Sequence, residues 1–403
     1  MTAESDDQLT FLGRTTFRNQ RRLFGIRQSD RRHHIYLIGK TGTGKSTLLE
    51  SLVRQDLAHG HGLALLDPHG DLAARVREAV PVHRQADLTY LDLPNPAADF
   101  AFNPLERVAP ARRALAAAGV LDVFKKLWAD SWGPRLEHIL RNALLVLVEL
   151  PEATLADILR LLDDEPFRHE AAARSANPQV RRFWLREYEQ YPTRLRAEAI
   201  APIQNKVGAF LAHGRLQRIL TEPRSSFDLR AILDEGQILL VNLSKGQIGE
   251  DVAALFGALL VSAIGLAALS RADQPAPARR DFFLYLDEFH TFTTQSLASM
   301  LSELRKYGVG LVLAHQYLAQ LDPVIRDAVL GNVGTLIAFR IGSADAEELA
   351  QEFAPEFSAE DLIRLPNHMV YLKLLVDGEV TSPFSAETLA LGECERNKLC
   401  TRP

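Results

Sequence analysis

The stretch His34-Ile35-Tyr36-Leu37-Ile38-Gly39-Lys40-Thr41-Gly42-Thr43-Gly44-Lys45-Ser46-Thr47 decides the fold. Its first five residues form an apolar run that stops at a glycine, which reads as a buried strand. Residues 46–59 then place Leu48, Leu49, Leu52, Val53 and Leu57 at helical spacing. Between the two lies G-x4-G-K-S, the pattern of a phosphate-binding loop in its required strand–loop–helix setting. Glycines let successive backbone N–H groups turn inward around a phosphate, and the helix N-terminus adds a favourable dipole. Gly39, Thr41, Gly42, Thr43, Gly44, Lys45, Ser46 and Thr47 are therefore the phosphate-binding candidates. Lys45 is expected to reach the β- and γ-phosphates of a nucleoside triphosphate, and Ser46 to ligate Mg²⁺.

Outward from this loop the chain alternates. Strands are expected at Gly62–Leu66 and Leu88–Leu93, with a helix at Asp71–Val80 between them, a pattern that argues for a parallel α/β sheet. From about Asn103 to Leu229 the periodicity is helical, with Ala111–Trp128, Leu136–Leu150, Thr154–Leu162 and Ala197–Ala212 as helices punctuated by prolines. Strands return at Gln237–Leu243, Phe282–Leu286, Gly310–Ala314, Gly334–Ile341 and Val370–Leu375. The expected organisation is an α/β core over 35–104 and 231–385, split by an all-α insertion at 105–230. An N-terminal strand or hairpin at 1–34 (Phe17-Arg18, Leu23 to Ile26) precedes the core, and a tail at 386–403 follows it.

The 403 residues carry 46 basic and 51 acidic side chains, a net charge of −5, so the whole chain is no basic nucleic-acid glue. The charge is uneven, however: 1–34 and 105–230 are net basic and 231–403 is net acidic. Two cysteines, Cys394 and Cys400, exclude a disulfide framework and suit a reducing cytosol; a zinc site is not expected from them. No signal peptide is expected from the first residues, which lack a basic-then-apolar pattern. Val252 to Ser270 has no charged residue and is long enough to span a bilayer, but its Ala, Gly and Ser content reads as a buried helix.

Phe282-Phe283-Leu284-Tyr285-Leu286 ends in Asp287-Glu288. Hydrolysis of a bound triphosphate needs a carboxylate for the metal's water shell and a second one to polarise the attacking water. Asp287 fits the first role and Glu288 the second. Gln316 follows the strand Gly310–Ala314, where a polar side chain would meet the γ-phosphate. Arg305, at the end of an expected helix Leu297–Tyr307, is either a cation at a helix C-terminus or an arginine finger for a neighbouring subunit. Arg340 competes for the finger's role. Asp67 and His69 lie on a loop at a strand's carboxyl end, either as turn formers or as site residues.

Taken together, GKTGTGKST at 39–47, LLDPHGDL at 65–72, FFLYLDEFH at 282–290 and LAHQY at 313–317 resemble the HerA–FtsK superfamily of P-loop motor ATPases. The nearer likeness is to TraG/TraD-type coupling proteins of type IV secretion and conjugation. NPQVRRFWLREYEQYPTRLRAEAIAPIQNKVGAFL at 177–211 is similar to their helical insertion. The resemblance implies a RecA-like core and ATP with Mg²⁺ as cofactors. It also implies a homo-hexameric ring with nucleotide at its subunit interfaces and DNA, bound without sequence preference, in its channel. It puts an arginine where Arg305 stands, and it gives the insertion a relaxase, nuclease or secretion-channel partner. The phosphate loop arrives by residue 39, so no membrane anchor is expected in this chain, which would work in the cytoplasm or at the inner membrane through a partner. Two other functions share these residues: a secretion or pilus-assembly ATPase acting on protein, and a nucleotide-dependent scaffold. Thr291–Ser296 is the candidate channel loop.

Overall fold

The computed structural model describes residues 8–16 and 20–393. Phe17-Arg18 of the expected hairpin, Cys394 and Cys400 lie outside the described residues. The chain divides into two compact units, one comprising Met1–Asp92, Arg230–Ser244 and Ala267–Pro403, the other Leu93–Leu229 and Lys245–Leu266.

The first unit contains strands β1 (Leu9–Thr15), β2 (Leu23–Arg27), β3 (Ile35–Ile38), β4 (Gly62–Asp67), β5 (Leu88–Asp92), β6 (Ile238–Asn242), β7 (Phe282–Leu286), β8 (Val309–His315) and β9 (Thr335–Ala338). It continues with β10 (Met369–Lys373), a small hairpin of β11 (Leu375–Val376) and β12 (Glu379–Val380), and β13 (Phe384–Thr388). Among the described residues, 11 of these strands form one sheet in the order β2-β1-β13-β10-β9-β3-β8-β7-β4-β6-β5. All pairings from β9 through β5 are parallel, and those from β2 through β9 are antiparallel. β3, β4, β7 and β8 are buried at every position. Parallel strands covered on both faces are expected to read as the uninterrupted apolar runs seen in the sequence.

Two boundaries differ from the sequence expectation. Residues 386–388 are not tail: β13 pairs with both β10 and β1, which knits the N-terminal hairpin into the sheet. The expected helix Leu297–Tyr307 is also broken, into an α-helix Gln295–Leu301 and a 3₁₀ turn Leu304–Tyr307. In an unbroken helix the Leu301 carbonyl would accept the N–H of residue 305. Here His34 Nε2 takes that carbonyl at 2.8 Å.

His34 is 1% exposed. Its other ring nitrogen, Nδ1, accepts the N–H of Leu311 at 3.0 Å, so the ring is neutral with its proton on Nε2. Deeper in the same core, Arg31 and Asp56 form a bidentate pair at 2.5 and 2.8 Å, with neither side chain exposed. Tyr285 hydroxyl accepts from Arg31 at 2.8 Å and donates to Asp56, while Arg31 lies 3.8 Å above the Phe283 ring. Burial alone would raise Asp56 and lower Arg31. Their mutual attraction outweighs it and holds both in the charged form.

The regular elements of the second unit are helices among its described residues, including Arg113–Leu127, Pro134–Leu147, Glu165–Arg174 and Thr193–Ala212. It starts at Leu93 rather than 105 and includes most of the apolar helix Glu250–Ser270. That helix, extended to Asp273, is long and apolar enough to cross a membrane, but 72% of its most apolar window is buried in the fold, as in an interior helix. At the unit's centre, fully buried Trp184 packs on Phe183 and Tyr188 and donates its indole N–H to the Asn142 carbonyl at 3.2 Å.

Asp56→Asn leaves Arg31 charged and uncompensated in the core, which is expected to cost about 3–5 kcal/mol in urea unfolding. The paired replacement Arg31→Met/Asp56→Leu should recover part of that loss. Acid should destabilise the protein through His34. Burial, the largest cause, lowers its pKa to about 4 from the ordinary 6.5. The unfolded chain therefore takes up the proton first as pH falls. The resulting stability is complete above about pH 6.5 and is lost toward pH 4, by on the order of 3 kcal/mol. The urea midpoint of the wild type should fall between pH 7 and 5 more steeply than that of His34→Asn.

Candidate active site

The parallel register sets the carboxyl ends of the central strands side by side. Ile38 of β3 pairs with His315 of β8, Leu313 of β8 with Leu286 of β7, and Leu286 with Leu66 of β4. The segments that follow, 39–46, 287–288 and 316, therefore leave the same edge of the sheet, where such folds bind ligands.

The loop's shape needs its glycines. Gly42 and Gly44 have φ of 77° and 119°, in the left-handed region. A Cβ on Gly44 would also stand 2.8 Å from His368 Nδ1. Thr43 Oγ1 donates to the Lys40 carbonyl at 2.7 Å, which closes the turn. Lys45, 6% exposed, folds back on the loop and donates to the carbonyls of Gly39 (2.5 Å) and Lys40 (3.2 Å).

A cavity of about 390 Å³ opens above this loop. Thr41, Gly42, Gly44, Lys45, Ser46 and Thr47 form one wall; Asp287, Glu288, Gln316, His69 and His368 complete it. Gly39 and Thr43 shape the loop without lining the cavity. Gln316 bridges the walls: Thr41 donates to its Oε1 at 2.9 Å, and its Nε2 donates to Glu288 Oε1 at 2.8 Å. Glu288 sits at φ 46°, a backbone region costly for a residue with a side chain.

The charges are unevenly compensated. Burial raises Asp287 to about 7, and the neighbouring carboxylates of Asp67 and Glu288 push the same way against Lys45. Burial lowers Lys45, opposed by Glu288 and Asp287. A site with neighbouring carboxylates beside a buried amine fits a cation bound together with an anion. Among the described residues no cluster of three or more His, Cys, Asp or Glu side chains could hold a metal alone.

Some expected residues lie elsewhere. Arg305 is exposed; its Nη1 contacts the His33 ring at 2.8 Å, beside a separate cavity of about 290 Å³ lined by His33, His34 and Gly331–Gly334. Arg340 is fastened to the Leu365 carbonyl and Asn367 Oδ1 at 3.2 and 2.9 Å. Neither guanidinium lines the phosphate-loop cavity. Asp67 is a turn former: its two oxygens accept the N–H groups of His69 and Ala73 at 2.8 and 2.9 Å. In the candidate channel loop, Thr291 to Thr294 are buried, which leaves Gln295 exposed and Ser296 half-buried. Sequence reasoning missed His368, which a loop 324 residues after Gly44 in the chain carries onto the phosphate loop, its N–H donating to the Thr43 carbonyl at 2.8 Å. No local pattern announces such a contact.

The family model of the type IV secretion-system coupling protein DNA-binding domain matches residues 24–371. The chain belongs to this family. Solved structures share the coupling-protein fold. The plasmid coupling protein TrwB in complex with the non-hydrolysable GTP analogue GDPNP is 17% identical, with a TM-score of 0.63, over 91% of this chain and 87% of that one. TrwB with ADP and Mg²⁺ is 17% identical, with a TM-score of 0.64, over 96% and 91%. VirB4 of Thermoanaerobacter pseudethanolicus is 16% identical, with a TM-score of 0.65, over 94% and 96%. No curated protein matches the chain.

Gly44→Ala would force a side chain into left-handed backbone against His368. Affinity for a fluorescent nucleoside triphosphate should fall at least tenfold, about 1.4 kcal/mol, with a small drop in melting temperature from the strained backbone.

Proposed function

We propose that this coupling-family protein is an ATP-hydrolysing, ring-forming motor that translocates DNA without sequence preference. One observation carries the reading: Lys45, Ser46, Asp287, Glu288 and Gln316 converge on a single cavity from three separate strand ends. The loop N–H groups and Lys45 bind the phosphates, with Lys45 exchanging the Gly39 and Lys40 carbonyls for phosphate oxygens. Ser46 and Asp287 hold Mg²⁺, which supplies charge neutralisation at the phosphates when bound. Glu288 orients and polarises the attacking water. Gln316, already joined to Thr41 and Glu288, registers whether a γ-phosphate is present. TrwB has been solved with ADP and Mg²⁺ and with an ATP analogue, which supports this choice of ligand.

Arg305 lies outside its own protomer's cavity and is exposed, the placement needed to serve a neighbour's nucleotide in a homo-hexamer. Arg340, held by Asn367, is the weaker candidate for that task. The helical region 105–230, net basic, is the proposed contact for DNA phosphates or a relaxase.

ATPase assays with and without duplex DNA test the proposal. The wild type should be stimulated by DNA, with the stimulation weakening as salt rises. Lys45→Ala and Glu288→Gln should fall at least a hundredfold. Hydrolysis at the wild-type rate in either variant would overturn the motor reading. Loss of activity in both without any DNA stimulation would point instead to protein cargo.

A further inference from the structure

Glu288 is fastened on one side only. Gln316 Nε2 donates to its Oε1. Its second oxygen, Oε2, is buried and accepts no hydrogen bond among the described residues. That oxygen is faced by His290 Nδ1 at 3.5 Å. On the far side of the same imidazole, Nε2 lies 3.3 Å from Gln320 Nε2. Gln320 Oε1 accepts the backbone N–H groups of Gln316 (3.3 Å) and Tyr317 (3.2 Å).

Those two main-chain donors fix the orientation of the Gln320 amide: its oxygen faces the turn at 316–317 and its NH₂ faces the imidazole. An amide NH₂ only donates, so His290 Nε2 accepts. A neutral imidazole accepting at Nε2 carries its proton on Nδ1, and that N–H is the group facing Glu288 Oε2. The backbone of Glu288 is in a strained region, so its carboxylate gains its aim from what grips it.

We propose that His290 and Gln320 are positioning residues that act through Glu288. Gln320 sets the tautomer of His290, and the Nδ1–H of His290, 3.5 Å from Oε2 and not yet bonded to it, closes on that oxygen when Gln316 releases Oε1 and so turns Oε1 toward the attacking water. Because Gln320 is bonded to the backbone of the 316–317 turn, a shift of that turn reaches Glu288 by a second route besides the Gln316 side chain. This inference rests on the reading of Glu288 as the water-polarising carboxylate.

The test is steady-state ATPase and nucleotide affinity of the full chain. His290→Ala and Gln320→Ala should each lower kcat tenfold or more, with KM and triphosphate affinity within twofold of wild type. His290→Asn, whose amide nitrogen takes the place of Nδ1, should restore most of kcat. His290→Gln, whose amide reaches toward Nε2, should not. The double alanine variant should be no slower than His290→Ala, because the two act in series. Wild-type kcat in His290→Ala, equal rescue by Asn and Gln, or an additive double variant would overturn the proposal. Glu288→Gln, run alongside, separates the two failures: if it is inactive while His290→Ala is not, the relay alone is wrong; if it is active, the reading of Glu288 itself fails.

Discussion

The bidentate ion pair between Arg31 and Asp56, sealed from water, is the constraint on which the rest of the core depends. Asp56 lies on the helix that begins at Lys45, and Tyr285, bonded to both partners, lies two residues before Asp287. At 1.5 Å rise per residue, Asp56 is about 16 Å along the helix from Lys45. The network therefore grips the helix far from the cavity and the acidic strand only two residues short of Asp287. It also holds the N-terminal hairpin, since Thr10 accepts from Arg31 at 2.9 Å, and His61, 3.0 Å from Asp56 through Nδ1, meets Gln8 Oε1 through Nε2 at 3.0 Å. A buried pair of this kind adds little net stability over an apolar replacement, but losing one partner is costly. Its contribution is registry: helix and strand can share it only in one alignment.

That registry explains which features were legible from sequence. The phosphate loop, the acidic pair and Gln316 were readable because each follows a buried parallel strand, and such strands announce themselves as apolar runs. Parallel register then carries the three segments to one edge with no further instruction. Less legible were the features fixed between residues distant in the chain. The helix expected over 297–307 breaks where a histidine 267 residues earlier bonds the Leu301 carbonyl. β13 is short and half-buried, and it joins the sheet through β1 and β10 rather than through any pattern of its own. The apolar helix Glu250–Ser270 has charge-free length enough for a bilayer, and only its burial identifies it as interior.

His290 is an intermediate case. It stands inside the apolar-acidic stretch FFLYLDEFH, three residues after Asp287, yet spacing gave it no role. Its position depends on the 3₁₀ turn Phe289–Thr291, which begins immediately after Glu288 leaves the strand in left-handed backbone. Phe289 is buried and packs edge-on against Tyr36 and His315, so the turn is anchored from beneath. A strand ending in two carboxylates could continue in many ways; the aromatic anchor selects this one and brings the imidazole back toward Glu288.

The electrostatics of the cavity point in one direction. Asp287 is held near the top of the range for a carboxylate by burial and by two acidic neighbours, while Lys45 spends its hydrogen bonds on loop carbonyls. Each of these arrangements is poor when viewed alone: a strained backbone at Glu288, a crowded set of carboxylates, an amine turned back on its own loop. A cation would relieve the crowding of the acids, and an anion would draw the amine outward. Gln316 ties the two walls together, accepting from Thr41 and donating to Glu288. The buried pairing of Arg31 with Asp56 fixes the helix and the acidic strand beneath, so the groups left to answer a bound cation and anion are the side chains of the cavity itself.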